Sequence, residues 1–192
     1  MSPQVGAVKV ELVTDTHRIM GHYPTNERRL SDILNLDSTD AIVLDDVCAL
    51  PVDNPDGAAI VMDFAHIIKD RISFGIPHEP PSTPEERQRI QPFQYVDKDR
   101  HQVLVSLPPF SVTGYVHLVK HADIRSALQA LAAEFVPITR ARAMYMPDTR
   151  IGWAAEVIII NRKRAQIFWP PMRVNNEAPV EDNAPLEGPN PE

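Results

Sequence analysis

"HRIMGHYPTNERRLSDILN", from His17 to Asn35, and "FSVTGYVHLVKHADIRSALQ", from Phe110 to Gln129, decide how this chain is read. Each opens as a strand-like run holding one glycine, Gly21 or Gly114, a residue that inside a strand marks a bulge or a sharp bend. Each then changes to helical spacing. Leu30, Ile33 and Leu34 share one helix face, and Ile124, Ala127, Leu128 and Leu131 share another. Upstream, "VKVELVT" alternates at Val8, Val10 and Leu12, and "QVLVSL" does so at Val103, Val105 and Leu107, a constant shift of 95 residues. Downstream, "AIVLDDVCAL" and "FVPITRARAMYM" read as strands at a shift of 94, with Ile42 and Leu44 answered by Val136 and Ile138. "AAIVMDFAHIIKDRISF" and "AAEVIIINRKRAQIFW" then each read as a buried strand, a polar turn and a returning strand.

These matches predict an α+β chain of two tandem β-rich repeats, β-β-α-β-β-β each. Units of this length hold only small cores, so the two are expected to pack together as a pseudo-dimer. The first repeat covers 1–75 and the second 95–173. Between them, residues 76–94, "IPHEPPSTPEERQRIQPFQ", have the proline and charge content of a linker. The last segment, 174–192, is acidic, proline-rich and free of aromatic residues, and is expected to be a disordered tail.

A chain of 192 residues with 43% hydrophobic content suits a soluble globular protein. Its start carries no basic segment followed by an apolar stretch, and no apolar run is long enough to span a bilayer, so no membrane role is expected and the cytoplasm is the expected compartment. The single cysteine, Cys48, cannot form an internal disulfide and reads as a small hydrophobe. Net charge is −7, but its distribution is uneven. Residues 1–94 hold 8 Lys/Arg against 15 Asp/Glu, residues 95–173 hold 11 against 6, and residues 174–192 hold 0 against 5. The two halves are thus electrically opposite, a pattern that suits complementary surfaces.

Chemical signatures are sparse. His17 and His22 fall on opposite faces of a strand, and neither they nor His117 and His121 sit with a carboxylate at ligand spacing, so no metal or cofactor is expected. No nucleophile elbow or phosphate-binding glycine loop is present. Asp37, Asp40, Asp45 and Asp46 crowd the first helix end and the strand after it, and the second half has Thr139 and Arg140 where the first has Asp45 and Asp46. Basic residues gather at Arg140 and Arg142 and in "NRKR", where Arg162, Lys163 and Arg164 are expected at the tip of the last hairpin. In the first helix Arg29, Asp32 and Asn35 recur every three residues, a spacing suited to a local hydrogen-bond network with neighbouring backbone.

The run "LVTDTHRIMGHY", "RRLSDILN", "AIVLDDVCAL" resembles a group of uncharacterised bacterial domains with an I-x-G strand, an R-L-S-D-x-L-N helix and a strand ending in a Leu-x-Asp-Val step. Thr14, Ile19, Gly21, Arg29, Leu30, Ser31, Asp32, Leu34, Asn35, Leu44, Asp46 and Val47 carry the likeness, mainly in the first half. It implies unity of fold and brings no activity. A looser similarity to Sm-like domains lies in the glycine-bearing strand, the Asn and the L-x-D-V step, and implies RNA binding; a helix between the second and third strands departs from that pattern. The residues together predict a non-enzymatic cytoplasmic scaffold or assembly module whose oppositely charged halves meet a protein partner or further copies of the chain. Asp45, Asp46, Arg140, Arg142, Arg162, Lys163 and Arg164 are its expected contacts. Nucleic-acid or anionic-ligand binding through the basic second half is the alternative, and a hydrolase or lyase built on the Asp cluster comes third.

Overall fold

The computed structural model describes residues 7–24, 29–36, 38–78, 98–120, 124–129 and 131–169. The expected disordered tail and residues 79–94 of the expected linker lie outside them. In chain order the elements are β1 (Ala7–Thr14), β2 (His17–Pro24), α1 (Leu30–Leu34), β3 (Ala41–Pro51), β4 (Ile60–Ile68), β5 (Ile72–Pro77), β6 (Lys98–Leu107), β7 (Phe110–Val119), α2 (Ile124–Gln129), β8 (Phe135–Tyr145), β9 (Gly152–Asn161) and β10 (Ile167–Trp169). Single 3-10 turns, Lys69–Arg71 and Arg162–Arg164, join β4 to β5 and β9 to β10.

All ten strands belong to one antiparallel sheet, ordered β10-β6-β7-β8-β9-β5-β1-β2-β3-β4. The chain is therefore nearly all-β, which overturns the expected α+β class. Leu30, Ile33 and Leu34 are buried, but α1 holds only five residues and α2 six. Periodicity registers a helical face and not how many turns follow it. The expected pair of packed repeats is overturned as well, because β5 pairs with β1 on one side and with β9 on the other. No gap divides the sheet at that point. Instead one strand order is used twice across its width: β5-β1-β2-β3-β4, then β10-β6-β7-β8-β9.

The returning strands also differ from expectation, since β5 does not pair with β4 nor β10 with β9. Three residues carry the chain from Ile68 to Ile72, past three intervening strands. Four residue steps reach at most about 14 Å, whereas four strand spacings in a flat sheet come to about 19 Å. The strands of the first half must curl until the ends of β4 and β5 meet.

Two cores follow from this curl. The first gathers Val10, Leu12, Leu30, Ile33, Leu34, Leu44 and Ile72, and the second Val103, Val105, Phe110, Val112, Ile138 and Ile158. At the junction the strands serve both. Phe74 and Ile160 enter the second core, while Ile159 and Phe135 enter the first. Ile72 to Ile76 are all buried, so "ISFGI" reads as a continuous apolar run and not an alternating one.

The two hairpins that open the halves align differently from the sequence reading. Val10 opposes Gly21 and Val103 opposes Gly114, so Val10 corresponds to Val103 and the shift is 93 residues. A two-residue slip preserves a period-two pattern, which hid the difference.

Candidate association surface

The seam between β5 and β9 shows how the sheet holds together. Phe74 opposes Ile160 and Gly75 opposes Ile159. The Phe74 ring meets those of Phe110 and Trp153 edge-on, with centroids 5.2 and 5.3 Å apart. Such contacts add about 0.5–1.5 kcal/mol each to the area they bury. The indole Nε1 of Trp153 donates to Oε1 of Glu11 at 2.6 Å, Arg18 Nε donates to the same oxygen at 2.5 Å, and His78 Nε2 lies 3.1 Å from Oε2. Glu11 is fully buried in the middle of β1, with its carboxylate partnered from β2, β9 and the end of β5. Nothing in "VKVELVT" announces these partners, which come from distant parts of the chain.

Asn35, beyond the end of α1, ties the first half to β8 of the second. Its Nδ2 donates to the Phe135 carbonyl and its Oδ1 accepts from the Phe135 N–H, both at 2.9 Å. The side chain amide thus pairs with β8 as a strand residue would. Asn35 Nδ2 also reaches the Ser31 carbonyl, and the Arg29 carbonyl accepts from the N–H groups of Asp32 and Ile33. Asp32 is exposed, and Ser31 Oγ donates to its Oδ1 at 3.4 Å. Beside Asn35 opens a polar cleft of about 610 Å³, lined among others by Leu36, Asp40, Lys69, Glu134 and Lys163. Lys69 is buried there, and its Nζ donates to the Leu36 carbonyl at 2.8 Å.

"NRKR" is not a hairpin tip, because β10 pairs with β6 and leaves β9 behind. Lys163 Nζ lies 2.6 Å from Glu134 and 3.8 Å from Asp70, and Arg164 lies 3.3 Å from Asp15 while donating to the Asp70 carbonyl at 3.1 Å. The hydrogen bond to Glu134 raises the Lys163 ammonium pKa above its ordinary value. Basic and acidic halves therefore meet inside one chain at this turn. Arg162 is half-buried, and its N–H donates to the Glu134 carbonyl. Arg150 is similarly committed to Asp148, whose carboxyl it holds down at about 2 through side-chain and backbone hydrogen bonds.

Asp46 and Arg140 sit at matching bulges of β3 and β8, with φ of 50° and 47°. Both are exposed, Asp45 is half-buried, and Arg142 is exposed. His22 Nδ1 lies 3.8 Å from Asp46. Gly21 and Gly114 face these bulges, where the backbones approach closely. A Cβ on Gly21 would stand 3.0 Å from Leu44 Cβ, and one on Gly114 would stand 2.5 Å from Ile138 Cγ2. The Asp45–Asp46 and Arg140–Arg142 patches are not brought together, since β9, β5, β1 and β2 lie between their strands. Asp37 falls outside the described residues.

What the sequence reading missed is β4. "IVMDFAHII" was expected to be a buried strand, but it forms one edge of the sheet and only Ile67 is buried. Val61 is 78% exposed and Phe64 60% exposed, with Val43 of β3 and Ile68 adding to the same open apolar surface. Among the described residues β4 pairs with β3 alone, leaving one side of its backbone without a strand neighbour. Asp63 and His66 were the available signal, since each sets a polar group in a run otherwise fit for burial.

Among the described residues no group of His, Cys, Asp and Glu could hold a metal ion, and no helix is long and apolar enough to cross a membrane. No family model, curated protein or solved structure matches this chain.

Proposed function

We propose that the protein is a non-enzymatic assembly module that binds further copies of itself by extending its sheet at an edge. The observation that carries this reading is β4, an edge strand that among the described residues pairs with β3 alone and on which Val61 and Phe64 stand open. An edge of this kind is a template for another strand, with backbone groups directing the contact and apolar side chains supplying its area. The excess of acid in residues 1–94 and of base in residues 95–173 orients the encounter. Part of that charge is already spent within the chain, on the pairs from Lys163 to Asp70 and from Arg164 to Asp15. Apolar and backbone contacts therefore hold the assembly, and charge speeds its formation.

Light scattering coupled to size-exclusion chromatography, over a wide range of protein concentration at low and high salt, tests this. The wild type should pass from monomer to larger species as concentration rises, and should still do so at 1 M salt, where screening confines charge attraction to about 3 Å. A chain carrying Val61→Lys and Phe64→Lys should remain monomeric with an unchanged circular dichroism spectrum. A wild type that is monomeric throughout, or a double variant that assembles as well as the wild type, overturns the reading.

A further inference from the structure

The seam inside the chain shows what a partner for β4 looks like. Val10 opposing Gly21 corresponds to Val103 opposing Gly114, and Leu44 opposing Ala65 corresponds to Ile138 opposing Ile158. Val13 opposing Phe74 corresponds to Ser106 opposing Ile167. By these registers β4 is the counterpart of β9, and β10 is the counterpart of β5. β9 and β5 pair with each other at the centre of the sheet, while β4 and β10 are its two ends.

Resting on the assembly reading above, we propose that β4 of one copy pairs antiparallel with β10 of the next, in the geometry that joins β9 to β5. Phe74 opposing Ile160 and Gly75 opposing Ile159 translate into the second copy's Ile167 opposing Ile67, and its Phe168 opposing His66. The internal seam is made by two such residue pairs, so the three residues of β10 are long enough.

Burial supports this assignment at Ile60, His66 and Ile167, whereas Val61 and Phe64 correspond to Ala154, which is exposed, and Val157, which is half-buried. Ile60 is 54% exposed, and its counterpart Trp153 is 9% exposed because Phe74 and Glu11 cover it. Ile167 is 52% exposed, and its counterpart Phe74 is fully buried. His66 is exposed where Ile159 is buried. Ile60 and Ile68 on β4 and Ile167 on β10 thus stand open at positions that are buried in β9 and β5.

Charge selects between the possible pairings of edges. β4 belongs to the acidic half and β10 to the basic half, so β4 against β10 joins unlike surfaces, whereas β4 against β4 joins like ones. The contact uses different patches on its two sides, so every copy added leaves one β4 and one β10 free. The product is a ring where the rotation closes and a filament where it does not.

Two measurements test the pairing. In a Cys48→Ala background, chains carrying His66→Cys are mixed with chains carrying Phe168→Cys and mildly oxidised. Opposed strand residues are within disulfide reach, so the mixed 66–168 link should dominate over 66–66 and 168–168. In the second, a chain blocked on β4 by His66→Lys and Ile68→Lys, both exposed residues at the proposed contact, is mixed with one blocked on β10 by Ile167→Lys. Each should be monomeric alone, and the mixture should give a one-to-one dimer and nothing larger. A dominant 66–66 link, or blocked chains that stay monomeric together while the wild type assembles, overturns the pairing and leaves self-assembly standing. A wild type that never assembles overturns both.

Discussion

β4 and β9 each follow a bulged strand and each ends in a 3-10 turn, yet one is open to solvent and the other lies at the centre of the sheet. Their own residues account for only part of the difference. "WAAEVIIIN" is no more apolar at its start than "IVMDFAHII", and Trp153 is buried because β1 and β5 supply Glu11 and Phe74 against it. A strand's exposure here is settled by which neighbour lies alongside it. Where the sequence does respond is near the turn, with Ile158 and Ile159 in the covered strand and Ala65 and His66 in the open one.

The comparison is sharpest for large side chains. Trp153→Ala removes a ring packed on Phe74 and Phe110 and leaves Glu11 without its indole partner, so urea unfolding should show a loss of about 3–5 kcal/mol. Ile60→Ala, at the corresponding position of β4, should cost under about 0.5 kcal/mol in dilute monomer, as exposed substitutions do. Equal losses at the two sites would end the claim that the seam and the open edge differ in this way.

A smaller effect separates the residues that follow the helical faces. Asn35→Ala abandons the N–H and C=O of Phe135 at the start of β8 and should cost about 1–3 kcal/mol. Gln129→Ala, aligned with Asn35 by the shift that relates β3 to β8, alters an exposed residue and should leave the unfolding midpoint in place. The smallest expected effect belongs to the second half alone. Burial, aided by Lys98 and Arg100, lowers the His117 pKa below its ordinary value, and His117 Nε2 lies 2.8 Å from Thr139 Oγ1. The folded chain therefore favours the neutral ring. The stability this contributes is complete above pH 6.5 and is lost as pH falls through the lowered folded value. Titration by nuclear magnetic resonance should place His117 below 6.5, and Lys98→Ala should move it part of the way back; a midpoint above 6.5 would contradict the assigned causes.

Much of the local structure was legible. Both hairpin-opening strands form where the alternation placed them, although burial alternates only over Val103 to Leu107 and is continuous from Val10 to Thr14; Gly21 and Gly114 mark places where backbones crowd, and Leu30, Ile33 and Leu34 form one buried face. Register was less legible, since a slip of two residues leaves alternation intact and only the pairing of Val10 with Gly21 and of Val103 with Gly114 removes the ambiguity. The candidate surface was the least visible. Val61 and Phe64 have the composition of a buried strand, and the charges chosen for association at Lys163 and Arg164 are engaged within the chain.

The amino-acid sequence by itself determined the strands, their bulge-facing glycines, the short apolar helix face and the separation of charge along the chain. These depend on side-chain alternation, steric room and ionisation, which act over a few residues. Only the tertiary structure decided that ten strands form one sheet, that Glu11 finds its partners at Arg18, His78 and Trp153, and that β9 is covered while β4 is not. Those outcomes depend on strands brought together from distant parts of the chain by a curl that three residues between β4 and β5 impose. No local pattern records which neighbour will arrive.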